Sequence, residues 1–235
     1  MNGVGTVHAP SRAADGRLDS RPHDVRTGAP PGPGVTRLDL GPGAEALLAV
    51  PPGDPAPRPL LVFLHGAGGS AADGLRLVGD LATARGALVL APTSTAATWD
   101  LIAGGLGRDV AVLDAALDAV FAACPVSRVA LGGFSDGASY ALSLGVANGD
   151  LADAVLAFSP GFVAAPGRFG RPHFWIGHGT DDRVLPIDRC GRRVAAQLRD
   201  DGYDVTWTEF DGGHVVTPDL VTAALDWWLD APTVG

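Results

Sequence analysis

The chain has 235 residues, 46% of them hydrophobic and 18% charged, which is enough apolar material for the core of one sizeable domain. A net charge of −9 argues against a nucleic-acid partner, because phosphate binding needs a concentrated positive field, and it gives no hint of attraction to an anionic lipid surface. No segment approaches the roughly 20 apolar residues that span a bilayer, and the N-terminal stretch has no apolar run of signal-peptide length, so a soluble, cytoplasmic protein is expected.

Residues 1–34 mix Arg, Asp, Gly and Pro without periodicity, and the expectation is an irregular N-terminal segment, disordered or loosely draped over a single domain at 35–235. From there the pattern is regular. "VTRLDL" (35–40) and "EALLAV" (45–50) read as two strands joined by "GPG", an antiparallel hairpin. "PLLVFL" (59–64) is apolar throughout, as a strand covered on both faces must be. A helix is predicted around 72–85, a strand at 87–92, and a helix at 108–124 whose Val110, Leu113, Leu117, Val120 and Phe121 share one face. A strand at 128–134 and a helix at 136–148 follow, then strands at 154–160 and 173–179. The chain closes with a helix at 187–200, a strand at 204–210, and a helix at 217–230 with Thr217 as its cap and Pro218 in its first turn. Strands alternating with helices define an α/β domain with a mostly parallel sheet and helices on both faces.

Ligands of an open parallel sheet bind beyond the carboxyl ends of its strands. Ser135 sits at such an end, in Gly133-Phe134-Ser135-Asp136-Gly137, a GxSxG turn between strand and helix. The turn lifts the serine side chain above the sheet, and the glycines avoid collisions that a Cβ would cause. The plain alternative is a glycine-rich turn with an incidental serine. A serine hydroxyl attacks only if a base takes its proton and an acid orients the base. "HFWIGHGTDDRVLP" supplies Asp181 and Asp182 after a later strand, and "FDGGHVV" supplies His214 after the next one. Ser, Asp, His is the order in which this strand–turn–helix architecture provides them. Either aspartate serves on this reading, the other making a turn. Of the six histidines, His8 and His23 fall in the irregular segment, His173 and His178 read as structural, and His65 belongs to a glycine-rich loop, which leaves His214 as the base.

That loop, "LHGAGGS", follows the earlier buried strand. It is placed to give a backbone N–H to a developing oxyanion, from Ala67 first and Gly68 in reserve, beside the N–H of Asp136. A phosphate loop is the competing explanation, but the lysine of GxxxxGK[ST] is missing, and so is a GxGxxG with its ribose-binding acid.

Together, "LHGAGGS", "GGFSDGA", "HGTDDRVLP" and "DGGH" resemble the α/β-hydrolase superfamily, and within it the phospholipase/carboxylesterase group of small serine esterases, from about residue 35 onward. The resemblance implies hydrolysis of carboxylic esters, sometimes thioesters, without metal or cofactor. It implies that the acid is Asp182, four residues after His178 in an "HGxxDxxxP" stretch closed by Pro186, and that Ala67 is an oxyanion donor. Asp136 departs from the glutamine some members carry after the nucleophile and puts a carboxylate near the site.

The stretch from Ser135 to Asp182 is filled by one helix and two strands, so no large cap is expected. Trp99, Phe162, Val184 and Leu185 are expected to form an apolar wall against short acyl or small aromatic groups, with Gly68 also touching substrate. The leading expectation is a serine carboxylesterase acting on a small-molecule ester as a monomer or homodimer. A thioesterase or acyltransferase with the same residues is the second reading, and a ligand-binding protein of the same fold without turnover is the third. Cys124 and Cys190 are too few for a disulfide scaffold; two buried thiols are expected rather than one bridge, and no CxxC or HExxH suggests a metal.

Overall fold

The computed structural model describes residues 12–22, 28–53 and 56–231. An eight-stranded sheet runs in the order β1-β2-β4-β3-β5-β6-β7-β8. The hairpin β1 (Gly34–Leu38) and β2 (Ala46–Val50) is antiparallel and joins the rest through an antiparallel β2–β4 pairing. The other strands, β3 (Arg58–Leu64), β4 (Leu88–Pro92), β5 (Val126–Phe134), β6 (Ala154–Phe158), β7 (His173–Gly179) and β8 (Val205–Phe210), are parallel.

The unbroken apolar runs serve two cores. Leu60, Val62 and Leu64 of β3 face a cluster with α3 (Arg108–Ala123), α4 (Asp136–Ala147) and α5 (Gly191–Asp200). Leu61 and Phe63 face the opposite cluster with α1 (Ala71–Ala84) and α6 (Pro218–Leu229). β3 therefore buries both faces, which is why it does not alternate, whereas the edge strand β1 is largely exposed. The apolar face read from the sequence of α3 is buried, Val110, Leu113, Leu117, Val120 and Phe121 alike. Thr217 caps α6, its hydroxyl accepting the N–H of Leu220 at 3.3 Å.

Three local features differ from the sequence expectation. Helix α5 begins at Gly191 rather than 187, because 187–190 form turns. A short helix α2 (Asp100–Ala103) occupies the stretch after β4. Within the segment read as irregular, residues 12–21 are fixed on the domain: Leu18 is fully buried, and its N–H bonds the side chain of Asn148 at 2.8 Å. Arg17, 5% exposed, donates to the carbonyl of Ala147 and pairs with Asp150. Arg17 thus satisfies the last carbonyl of α4, and Gly16 and Leu18 bond the side chain of the capping Asn148, a role invisible to composition. Residues 1–11 and 23–27 of that segment, with His8 and His23, lie outside the described residues. Cys124 is buried, but Cys190, at the start of α5, is only half-buried. No helix among the described residues is long and apolar enough to cross a membrane.

Candidate active site

Ser135 stands between β5 and α4 with φ 56°, in the left-handed region that a side-chain-bearing residue rarely adopts. The surroundings enforce this strain. A Cβ at Gly133 would strike the carbonyl of Gly137, and one at Gly137 would strike the carbonyls of Leu64 and His65. Strand, turn and helix therefore pack backbone against backbone, and the serine side chain is turned out of the sheet. Its N–H is anchored on the carbonyl of Phe158 at 2.9 Å.

The loops after β7 and β8 are joined to each other. The N–H of Thr180 donates to the carbonyl of Phe210, and that of Asp181 to the carbonyl of Gly212, both at 2.9 Å. A Cβ at Gly179 would strike the carbonyls of Gly212 and Gly213, so this contact too depends on glycine. The result carries Asp182 beneath His214. His214 Nδ1 lies 2.6 Å from Asp182 Oδ2, and its Nε2 lies 2.9 Å from Ser135 Oγ. An ionised carboxylate only accepts, so the imidazole proton belongs on Nδ1, and Nε2 accepts from the serine hydroxyl. Phe134 backs the ring with centroids 4.8 Å apart.

Asp182 is buried. Burial acts to raise its pKa, but the hydrogen bond from His214 and those from the N–H groups of Leu185 and Val184 outweigh it and hold the carboxyl below its ordinary value. Asp181 is exposed, and its backbone, not its carboxylate, makes the link to the next loop. The sequence left these two aspartates open on spacing alone; only Asp182 faces His214.

The loop after β3 lies against the same serine. Gly66 packs so that a Cβ there would stand 3.5 Å from Ser135 Cβ. Ala67 and Gly68 are exposed on it. Gly68 is no longer available as a reserve donor, because its N–H is bonded to the carbonyl of Ala97 at 2.7 Å. The N–H of Asp136, first in α4, has no intrahelical acceptor and lies at the positive end of the helix dipole. His65 is buried beneath this loop. Its Nδ1 lies 2.7 Å from the carbonyl of Gly66 and its Nε2 accepts the N–H of Ser94 at 3.0 Å. Burial lowers its pKa and favours the neutral ring that this pattern needs.

The expected apolar wall is only partly assembled. Trp99 is 1% exposed and stacks on Tyr140 at 5.1 Å, so it is a core residue behind the loop and not a wall of the site. Its apolar bulk read as a contact surface from sequence, but burial beneath the loop removes it from any ligand. Phe162 and Leu185 are half-buried, and Leu185 reaches Gly161. Val184 is 65% and Val215 47% exposed, one following the acid and the other the imidazole. The sequence missed Ser139, whose hydroxyl accepts the N–H groups of Gly161 and Phe162 at 2.9 and 3.4 Å and so holds that loop on α4. It missed Ser159 too, at φ 50°, which among the described residues shares with Ser135 alone a positive φ outside glycine. No group of His, Cys, Asp and Glu among the described residues has the arrangement to hold a metal ion.

A GxSxG turn on such a sheet, with a histidine and an aspartate arriving on later loops, defines the α/β-hydrolase fold in the form seen in esterases. No family model matches the chain, and no curated protein does. Solved structures do. The crystal structure of esterase PE8 is 24% identical, with 77% of this chain and 98% of that one covered at a TM-score of 0.62. The S-formylglutathione hydrolase of Staphylococcus aureus is 15% identical over 85% of this chain and 98% of its own, at 0.66. The carboxylesterase of Bacillus cereus is 19% identical over 82% and 96%, at 0.60.

Proposed function

We propose that the protein is a serine carboxylesterase. The observation that carries this reading is the hydrogen-bonded line from Ser135 Oγ through His214 to Asp182, 2.9 and 2.6 Å long. Ser135 Oγ attacks the ester carbonyl carbon while its proton passes to His214 Nε2. Asp182 keeps the ring in the tautomer that can accept this proton and stabilises the imidazolium that results. The carbonyl oxygen becomes an oxyanion facing the N–H groups of Ala67 and Asp136. Each such donor is worth roughly 3 kcal/mol of barrier. The C–O bond to the alcohol then breaks as His214 returns the proton to the leaving oxygen. Water repeats the sequence on the acyl-enzyme, and the acid is released.

Phe162, Leu185, Val184 and Val215 give the surroundings an apolar character suited to short acyl or small aromatic groups on a small-molecule ester. Esterases among the structural neighbours agree with this reading, and no cofactor enters the chemistry. A thioester is the second substrate to consider, because one neighbour is an S-formylglutathione hydrolase. The same residues would expel a thiolate in place of an alkoxide.

The test pairs p-nitrophenyl esters of graded chain length with fluorophosphonate labelling, on the wild type and Ser135→Ala. The wild type is expected to turn over the shorter esters and take the label, and the variant to do neither. Equal hydrolysis by the two proteins would refute the assignment. A matched acyl thioester, assayed alongside, separates the two substrate classes.

A further inference from the structure

The stretch after β4 was expected to offer Trp99 to a ligand; instead residues 94–99 are bonded to both halves of the proposed oxyanion site. Three bonds reach the loop that carries Ala67. Ser94 N–H donates to His65 Nε2 at 3.0 Å, the indole N–H of Trp99 donates to the carbonyl of His65 at 2.9 Å, and the carbonyl of Ala97 accepts Gly68 N–H at 2.7 Å. A fourth reaches the other donor residue, where Thr98 Oγ1 donates to Asp136 Oδ2 at 2.7 Å. Ala67 is thus fixed on either side, through His65 and through Gly68, by the same short segment that holds Asp136.

The segment is itself rigidly supported. The Trp99 ring lies between His65, 4.7 Å away, and Tyr140, 5.1 Å away and nearly parallel. The hydroxyl of Tyr140 donates to Asp100 Oδ1 at 2.8 Å. Asp109, buried, accepts the N–H groups of Thr95 and Asp100 at 2.6 and 2.8 Å, and Asp100 Oδ2 accepts those of Gly107 and Asp109 at 2.9 and 3.0 Å. Two carboxylates absorb the loop's backbone donors, and little freedom is left to residues 95–100.

We propose, on the esterase reading of the site, that Thr98 and Trp99 are positioning residues for the oxyanion site. They set the separation of the Ala67 and Asp136 N–H groups, and Thr98 in addition restrains the Asp136 carboxylate. The second task follows from charge. Negative charge develops on the substrate oxygen next to the backbone of a residue that itself bears a carboxylate, and the two repel. A hydroxyl donating to Oδ2 keeps that carboxylate engaged with the 94–99 segment. Donors act on the oxyanion only when placed within a few tenths of an ångström beforehand, so loss of either tie acts on the transition state more than on substrate binding.

The experiment measures kcat, KM and inhibition by an alkyl trifluoromethyl ketone for wild type, Thr98→Val, Thr98→Ser and Trp99→Phe. Ser135 Oγ adds to the ketone carbon, its proton passes to His214, and the ketone oxygen takes the negative charge in the oxyanion site. Thr98→Val is expected to lower kcat by about 10-fold or more, to leave KM within about 2-fold, and to raise the ketone Ki in proportion to the loss in kcat/KM. Thr98→Ser, which keeps the donor, restores both. Trp99→Phe, which keeps an aromatic ring at this position but loses the indole N–H, shows the same parallel loss, and it decides the matter if Thr98→Val does not fold. A Thr98→Val or Trp99→Phe enzyme with kcat within about 2-fold of wild type overturns the proposal, as does a loss of rate without a matching rise in Ki. Ser135→Ala in the same series separates this outcome from failure of the esterase reading, since that reading falls only if this variant stays active.

Discussion

His178 lies 3.2 Å from Oδ2 of Asp182, the same oxygen that receives His214 at 2.6 Å, and neither His178 nor Asp182 exposes any side-chain surface. Its Nε2 also lies 2.8 Å from the carbonyl of Leu185, so its proton is shared between a fixed carbonyl and the buried acid. His178 thereby braces the carboxylate that orients His214. Replacing it by leucine removes a donor to a buried charge, worth about 1.5–3 kcal/mol. His178→Leu is therefore expected to lower kcat about 10-fold or more on a p-nitrophenyl ester, with Ser135 still labelled by a fluorophosphonate. An unchanged kcat would show that the contact is passive.

His178 and His65 share a further property. Burial is the main cause that lowers the pKa of each below the ordinary value of 6.5. A histidine held neutral in this way contributes stability that is whole above its unfolded-state pKa and is lost as the pH falls through the lower, folded value. The melting temperature is expected to decline as the pH is taken from about 7 to 5, and to decline less in His178→Leu. A flat profile over that range in the wild type would contradict the burial argument.

The two adjacent aspartates should behave very differently. Asp182→Asn leaves an amide beside His214 Nδ1 that stabilises neither the required tautomer nor the imidazolium, and kcat is expected to fall by roughly 10³–10⁴-fold. Asp181→Asn changes an exposed side chain with no bond to the imidazole, and activity within about 2-fold of wild type is expected. Steady-state kinetics on one ester compare the pair, and equal rates would remove Asp182 from the mechanism.

The N-terminal segment makes its own prediction. Arg17 pairs with Asp150 at 2.7 Å, and Arg21 reaches the same carboxylate at 2.6 Å. The hydrogen bond from Arg17, reinforced by Arg21 against partial burial, holds Asp150 far below its ordinary 3.8. A depressed carboxylate stabilises the fold above its unfolded-state pKa and loses that contribution as the pH falls toward the folded value. Asp150→Asn is expected to cost about 1–2 kcal/mol at pH 7, a figure reduced because the carboxylate is partly exposed. The difference from wild type should shrink as the pH drops below about 4. Urea melts at pH 7 and pH 3 measure it, and a constant difference would mean the pair contributes through packing alone.

How much of this was legible beforehand differs by element. The strand at 59–64 and the apolar face of α3 were readable because burial on one or both faces imposes a periodicity that side-chain chemistry records directly. The turn around Ser135 was readable because only glycine fits where Gly133 and Gly137 meet other backbone. Residues 12–21 were not, since Leu18 and Arg17 carry no pattern that distinguishes a docked strap from a loose one; their partners, Asn148 and Asp150, are distant in sequence. Trp99 was misplaced for the related reason that an aromatic side chain after a strand looks the same from sequence whether it lines a site or supports it.

The sequence by itself determined the alternation of strands and helices, the glycines that force Ser135 out of the sheet, and the order in which serine, acid and histidine arrive. These depend on neighbours a few residues apart, where sterics and periodicity act locally. The family resemblance had pointed to Asp182 where spacing left Asp181 open, and the structure sets Asp182 against His214; the tertiary structure alone decided that Gly68 is spent on Ala97 and that Trp99 lies behind the site. Those outcomes depend on which backbone donors and acceptors distant loops present to one another, and on the burial that follows when they dock. No short stretch of residues encodes either.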